Sequence, residues 1–207
     1  MTPAVVVPSA PMLLPRYTGR IDAAAPLRER AVAAVRAAAA GGPAAEVVLV
    51  VATDRENRGT GTPLGQRVGE HLAGLAGAVV ADVVTVAWDA PVEACRALGA
   101  ELAATRPDTV LVVVADGSAR RGEKAPGHLD ERAFAVDDAL VAALRAADPA
   151  ALLALDPRLC ADLLVHGRAP LQVLAGALSG RDPLSCADLH AEDPFGVLHV
   201  VARLTAP

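Results

Sequence analysis

The chain has 207 residues, 53% of them hydrophobic but only 2% aromatic, and a formal net charge of −5 from 19 basic and 24 acidic side chains. That is enough apolar sequence for a substantial core, and the mild acidity argues against a general nucleic-acid or anionic-membrane surface. Prolines at 3, 8, 11 and 15 break an N-terminal stretch that also lacks a basic start. No membrane-length apolar window is free of charge or proline, so a cytoplasmic globular protein is expected, with no partner membrane or nucleic acid.

Read in order, the chain alternates apolar runs with helical patterns. Val5 to Val7 is a short strand that ends in Pro8-Ser9-Ala10-Pro11, where the prolines forbid a helix. Leu27 to Ala40 has helical spacing and is stopped by Gly41-Gly42-Pro43. Val47 to Ala52 is a second, continuously apolar strand. It runs into Thr53, Asp54, Arg55, Glu56, Asn57, Arg58 and Gly59, and a helix starts at Pro63 and reaches about Leu75. Ala78 to Ala87 is a third strand, interrupted by Asp82 as on a sheet edge, and Pro91 to Thr105 is a helix with Asp89 placed to cap it.

Val110 to Asp138 holds the most informative stretch. Val110 to Ala115 has no polar alternation, the signature of a strand covered on both faces. It breaks at Asp116-Gly117-Ser118 into a loop dense in charge (Arg120, Arg121, Glu123, Lys124, His128, Asp130, Glu131, Arg132), and Lys124 is the single lysine of the chain. A helix to Ala147 follows. Asp148-Pro149 and Asp156-Pro157 each pair a capping acid with a proline suited to the first helical turn. The second of these helices runs to about Val165 before Gly167. Ala169 to Leu178 is helical, and Val197 to Leu204 is a last strand. The pattern predicts a single α/β domain over 1–207, a three-layer α/β/α sandwich around a mostly parallel or mixed central sheet.

Two strand ends are polar in the same way: VLVVATDRENRG and LVVVADGSARRGEK each pass into an acid followed by arginines. Ligands of open α/β sheets bind beyond the carboxyl ends of strands. If these strands are neighbours, Asp54, Arg55, Asn57, Arg58, Asp116, Ser118, Arg120, Arg121, Lys124 and His128 surround one crevice, with Ser9 as a third contributor. The competing assignment makes Asp54 and Asp116 acceptors for loop amides or helix N-termini, with the arginines paired at the surface. Cys95, Cys160 and Cys186 form no CxxC unit and are expected as reduced, buried thiols. GxSxG, GxGxxG and P-loop patterns are absent.

The order of elements, the opening VVVPSAPMLLP, the strand VVLVVATD, the run VVVADGSAR with its helix, HGRAPLQVLAGAL and the closing FGVLHVVARL together resemble the class III extradiol dioxygenase superfamily. This is the LigB-like fold of the protocatechuate 4,5-dioxygenase β-subunit and the Memo-like proteins. The resemblance spans nearly the whole chain and implies relatives among short actinobacterial proteins. In the enzymes of that family, two His and one acid hold a non-haem Fe(II) with positions open for catechol and O₂. Ser9 stands where the resemblance implies a metal-binding His, and Asp54 or Thr53 where it implies a second. The segment Gly117-Ser118-Ala119-Arg120 replaces the one with the family's catalytic His. Ser is a poor Fe(II) ligand, and Arg neither binds metal nor acts as a base near neutral pH.

His71 lies within a helix without an HExxH pattern, and His190 and His199 flank the start of the last strand. His166 at a helix end suits a dipole-capping role. Metal is therefore not expected; Fe(II) would require the site to be rebuilt, and Asp54, Glu56 and Asp116 are the alternative donors, suited to Mg²⁺ or Mn²⁺. Three functions follow: binding of a small polar or anionic ligand through the arginines and Lys124, an altered metal-dependent enzyme of the dioxygenase type, or a non-catalytic assembly subunit. The resemblance extends to dimeric members, which makes a homodimer one expected assembly.

Overall fold

The computed structural model describes residues 3–18, 20–40, 46–55, 61–107, 109–180 and 184–205. Its centre is one six-stranded sheet built from β1 (Ala4–Val7), β2 (Glu46–Ala52), β3 (Val79–Val86), β4 (Val110–Val114), β5 (Ser185–Glu192) and β6 (His199–Thr205). The spatial order is β3-β2-β4-β1-β6-β5. β1 to β4 are mutually parallel, whereas β6 runs antiparallel to β1 and β5 antiparallel to β6. Both readings of the sheet, mostly parallel and mixed, describe it, and the architecture is the expected α/β/α sandwich.

Side-chain alternation along the buried strands sorts the core into two layers. Val5, Val7, Val47, Leu49, Val51, Val110, Val112 and Val114 face α1 (Ala25–Ala39) and α2 (Leu64–Ala76), where Leu27, Val35, Val68 and Leu72 meet them. Ala4, Val6, Val48, Val50, Leu111 and Val113 face the opposite layer. That layer holds α3 (Val92–Thr105), α4 (Arg132–Ala146), α5 (Pro149–Leu153), α6 (Pro157–Asp162) and α7 (Arg168–Leu178). All five residues of β4 are buried, as its unbroken valine and leucine run requires. Each leucine buried outright here contributes roughly 2 kcal/mol of transfer free energy.

The two Asp-Pro sequences start helices as their chemistry dictates. Asp148 accepts from the amides of Ala150 and Ala151 at 2.9 and 3.1 Å, and Asp156 from Leu159 at 2.7 Å. Elsewhere the boundaries shift. Pro63 is the N-cap of α2 rather than its first turn, and α3 is preceded by Pro91 with no side-chain cap, so Asp89 does not fill that role. β5 is an unforeseen strand: its residues are mostly half-buried or exposed, and an edge strand needs no continuous apolar run. Gly196, at φ 72°, turns the chain back so that the last strand begins at His199. The Gly41-Gly42-Pro43 stop lies outside the described residues.

One packing constraint is set by glycine. Helices α3 and α7 approach so closely that a Cβ on Gly99 would stand 2.0 Å from the Val173 carbonyl oxygen, and one on Gly176 2.3 Å from that of Arg96. Gly99→Ala must push the helices apart and should cost about 1–3 kcal/mol in denaturant unfolding. Gly74→Ala in α2, where nothing lies within 4 Å of the new methyl, should be neutral or stabilising. Equal stability of the two variants would contradict this account of the interface.

Candidate functional site

β4 lies directly between β1 and β2, so the polar segments after these three strands emerge side by side. β6 runs the other way, and its first residue, His199, therefore reaches the same edge of the sheet. An isolated antiparallel bridge pairs His199 with Asp116. Backbone bonds from Gly117 to Leu198 and from Leu198 to Ser118, at 2.9 and 3.0 Å, extend the pairing beyond β4. The site is thus built by strand topology, and the residue at its centre is Asp116.

Asp116 is 8% exposed, and both of its oxygens are engaged. Oδ2 accepts from the Ser9 amide at 2.8 Å, and Oδ1 lies 2.7 Å from Nδ1 of His199. The Asp116 carbonyl accepts from the Gly167 amide at 3.1 Å, which brings the start of α7 to the same point. A Cβ on Gly167 would lie 2.4 Å from that carbonyl oxygen, so only glycine permits the approach. His199 is itself 2% exposed, and its Nε2 is buried with no hydrogen-bond partner among the described residues.

Around this pair lies a cavity of ≈ 910 Å³, whose wall includes Ser9, Thr53, Asp54, Arg55, Arg67, Asp116, His166 and His199 as its polar groups. Met12, Tyr17, Leu64, Val114, Leu164, Phe195 and Val197 supply apolar wall. A concave, mostly apolar chamber with a few convergent polar groups is the usual form of a small-molecule site. Several polar groups are already held in place. Asp54 accepts from the Leu64 amide at 3.0 and 3.2 Å at the start of α2, and Thr53 Oγ1 accepts from the Trp88 amide at 3.1 Å. The Arg55 guanidinium stacks 4.3 Å over the Trp88 ring and donates to the Ala161 carbonyl at 3.1 Å. Arg67 approaches the Tyr17 hydroxyl, and its Nε has no partner among the described residues.

His166 enters the cavity from the turn between α6 and α7. Leu164 adopts φ 56° there, a left-handed conformation that leucine takes only when its surroundings impose it. The ring stands at the amino end of α7, with Gly167 as N-cap, and not at the carboxyl end of a helix. A protonated imidazole would face the positive end of that dipole, so the expected capping role does not arise. Crowding by surrounding protein, and then the Arg55 charge, hold the His166 pKa below its ordinary value, against the opposing pull of Asp116 and Asp54.

The residues expected at one crevice therefore divide. Ser9, Asp54, Arg55 and Asp116 line the cavity; Ser118, Arg120, Arg121, Lys124 and His128 stand outside its lining. Asn57 and Arg58, with Glu56, lie outside the described residues. Ser118 is buried, donating to the Leu163 carbonyl at 2.6 Å and accepting from the Arg120 amide at 3.1 Å. Arg121 pairs with Asp193 at 2.6 Å and Asp137 at 3.2 Å and stacks 4.7 Å over Phe134. Arg120 faces Asp130 at 3.6 Å, Lys124 is exposed, and His128 makes a turn at φ 59° with Nδ1 2.8 Å from the Glu123 carbonyl. The charged loop is consequently a scaffold pinned to α4 and to the β5–β6 turn. His166 and His199 are 33 positions apart in sequence and share no local motif; the one sequence signal for His199 is an imidazole inside the apolar run VLHVV.

Among the described residues, no group of three or more His, Cys, Asp or Glu side chains is arranged to hold a metal ion. Asp116 is taken by Ser9 and His199 and Asp54 by α2, so the described donors do not fit the two-His, one-acid Fe(II) site that the extradiol resemblance implies. All three cysteines are free thiols; Cys95 and Cys160 are buried, Cys186 partly so, and burial pushes the Cys160 thiol up to about 11. No helix among the described residues is long and apolar enough to cross a membrane.

No protein-family model matches the chain, and no curated protein matches it. Among solved structures it is similar to the crystal structure of an uncharacterized protein, JW3007, from Escherichia coli K12. The two share 18% identity and a TM-score of 0.50 over 99% of this chain and 100% of that one. At this identity the likeness speaks for the fold alone.

The scaffold can be tested through Asp137. Burial raises its carboxyl to about 6 from the ordinary 3.8, against the Ser118 amide and Arg121, which lower it. The native state therefore binds this proton more tightly than the unfolded chain, and the resulting stability is present below about pH 3.8 and lost as pH rises through about 6. Asp137→Asn should remove that component, so its unfolding midpoint should fall less than the wild-type midpoint between pH 4 and pH 7. Parallel profiles would contradict the assignment.

Proposed function

We propose that this chain is a cytoplasmic protein that binds a small polar or anionic ligand in the cavity at the carboxyl ends of β1, β2 and β4. The observation that carries the reading is the buried His199 on the cavity wall, fixed on one side by Asp116 and on the other without a partner among the described residues. A buried polar atom left unpaired costs about 1–3 kcal/mol, which a ligand hydrogen bond would recover. Arg67 and Arg55 add positive charge to the same wall, and Tyr17, Phe195 and Leu164 add apolar surface for the body of the ligand. In this reading the anion is met by Arg67 and Arg55 rather than by the loop arginines and Lys124.

The resemblance to the class III extradiol dioxygenases fits this reading as kinship of fold, with Ser9 and Asp54 occupying the positions of metal-binding side chains. It supplies no step here, because the described donors do not fit the iron.

Thermal unfolding in the presence of benzoate tests the proposal, since a ligand that binds only the native state raises the melting temperature. The rise should saturate, disappear in Arg67→Ala, and persist in Arg121→Ala and Lys124→Ala, whatever those two do to the starting temperature. Fe²⁺, Mn²⁺, Mg²⁺ and Zn²⁺ should leave the transition unmoved. Stoichiometric metal in the purified protein, or a benzoate effect that survives Arg67→Ala, would contradict the proposal.

A further inference from the structure

The Asp116–His199 pair has a property that binding alone does not use. An ionised carboxylate only accepts hydrogen bonds, so Asp116 Oδ1, 2.7 Å away, holds the His199 proton on Nδ1 and leaves the lone pair on Nε2. A carboxylate-backed imidazole is also the arrangement that stabilises the imidazolium formed when Nε2 takes up a proton. The ring belongs to the cavity wall, where shielding from water strengthens its interactions with whatever packs against it.

The rest of the wall narrows the chemistry. Among the described residues it contains neither cysteine nor lysine, which removes thiolate and Schiff-base routes through them. Ser9 is present, yet the absence of any hydrogen bond to Nε2 leaves its hydroxyl unconnected to the imidazole. What remains is proton transfer by an imidazole, and of His166 and His199 on this wall it is His199 that is hydrogen-bonded to a carboxylate. The substrate class follows from the other walls. Of the chain's four aromatic residues, Tyr17 and Phe195 both line this cavity, which suits a planar apolar body. Arg67, whose Nε has no partner among the described residues, suits a carboxylate.

We infer that His199 is the general base of a tautomerase-type reaction on a small 2-keto or 2-enol carboxylate carrying a planar apolar group. This rests on the anion-binding reading above. The enol O–H bond breaks and its proton moves to Nε2, leaving the electron pair on the enolate oxygen. That pair closes to C=O as the C=C pair takes the same proton from Nε2 at the neighbouring carbon. The reaction is an isomerisation: the base is regenerated and no oxidant or co-reactant is consumed. Asp116 acts as a positioning residue, setting the tautomer and the ring orientation.

Phenylpyruvate is the probe, with ketonisation of its enol followed by ultraviolet absorbance and its binding measured separately by calorimetry. At saturating substrate the wild-type protein should exceed His199→Gly by about 10²–10⁴-fold in rate, the range of general-base catalysis, a loss larger than the weakening of binding that follows from the missing Nε2 hydrogen bond. Imidazole added to His199→Gly should restore part of the rate, which a merely structural loss would not allow. Should that variant fail to fold, His199→Gln keeps a polar side chain of similar reach and should be equally slow. Asp116→Asn should lower kcat more than tenfold with KM little changed. Phenylpyruvate binding that depends on Arg67, with equal rates in wild type and the His199 variants, would overturn the base and leave the binding reading intact. Binding of benzoate without phenylpyruvate would overturn the substrate class alone, and binding of neither would overturn both readings.

Discussion

The side chain of Asp116 is the point on which the site depends. One carboxylate oxygen holds the amide of the segment after β1, the other holds an imidazole from β6, and the residue's own carbonyl receives the amide that starts α7. Four elements far apart in sequence are thereby fixed within one residue's reach. Hydrogen bonds to a buried carboxylate are stronger than neutral ones, and removing the acceptor would leave the Ser9 amide and the His199 ring without their partner. The constraint is topological as well: only an antiparallel β6 can deliver its first residue to the edge where its parallel neighbours end.

The charged loop after β4 serves this centre from outside. Ser118 locks to the α6–α7 turn through the Leu163 carbonyl, and its amide is held by Asp137 at 2.9 Å. Arg121 ties Asp137 to Asp193 on the β5–β6 turn. Its charge is used up in holding the loop against α4, and the cations left to face the cavity come from the segment after β2 and from α2. A second buried arginine makes the same point. Arg168 is 3% exposed and donates to the Trp88 carbonyl at 2.8 Å and to Gln172 at 2.9 Å, so α7 is anchored to the segment after β3. Trp88 in turn carries Arg55.

These details mark what a sequence can and cannot convey. The apolar runs at Val47 to Ala52 and Val110 to Ala115 announce buried strands because burial on both faces leaves no room for alternation. The Asp-Pro pairs announce helix starts because the cap and the fixed φ act locally. Polar strand ends at Asp54 and Asp116 mark the rim of the cavity for the same reason. The other half of the site is not local. Arg120 and Arg121 read as ligand contacts since clustered cations in a loop look alike whether they meet a ligand or Asp130, Asp137 and Asp193. His199 and His166 were individually unremarkable, and their meeting depends on strand direction and on the close approach that Gly167 allows. An edge strand such as β5 carries little periodic signal, and without it the direction of β6 cannot be deduced.

The central claim is that Asp116 fixes His199 with its proton on Nδ1 and its lone pair on Nε2. Side-chain ¹⁵N–¹H correlation spectra of the labelled protein, with His199 assigned through His199→Gln, measure this directly. The neutral ring should be the Nδ1–H tautomer in the wild type and lose that preference in Asp116→Asn. A neutral His199 that carries its proton on Nε2, or a tautomer unchanged by Asp116→Asn, would contradict the account.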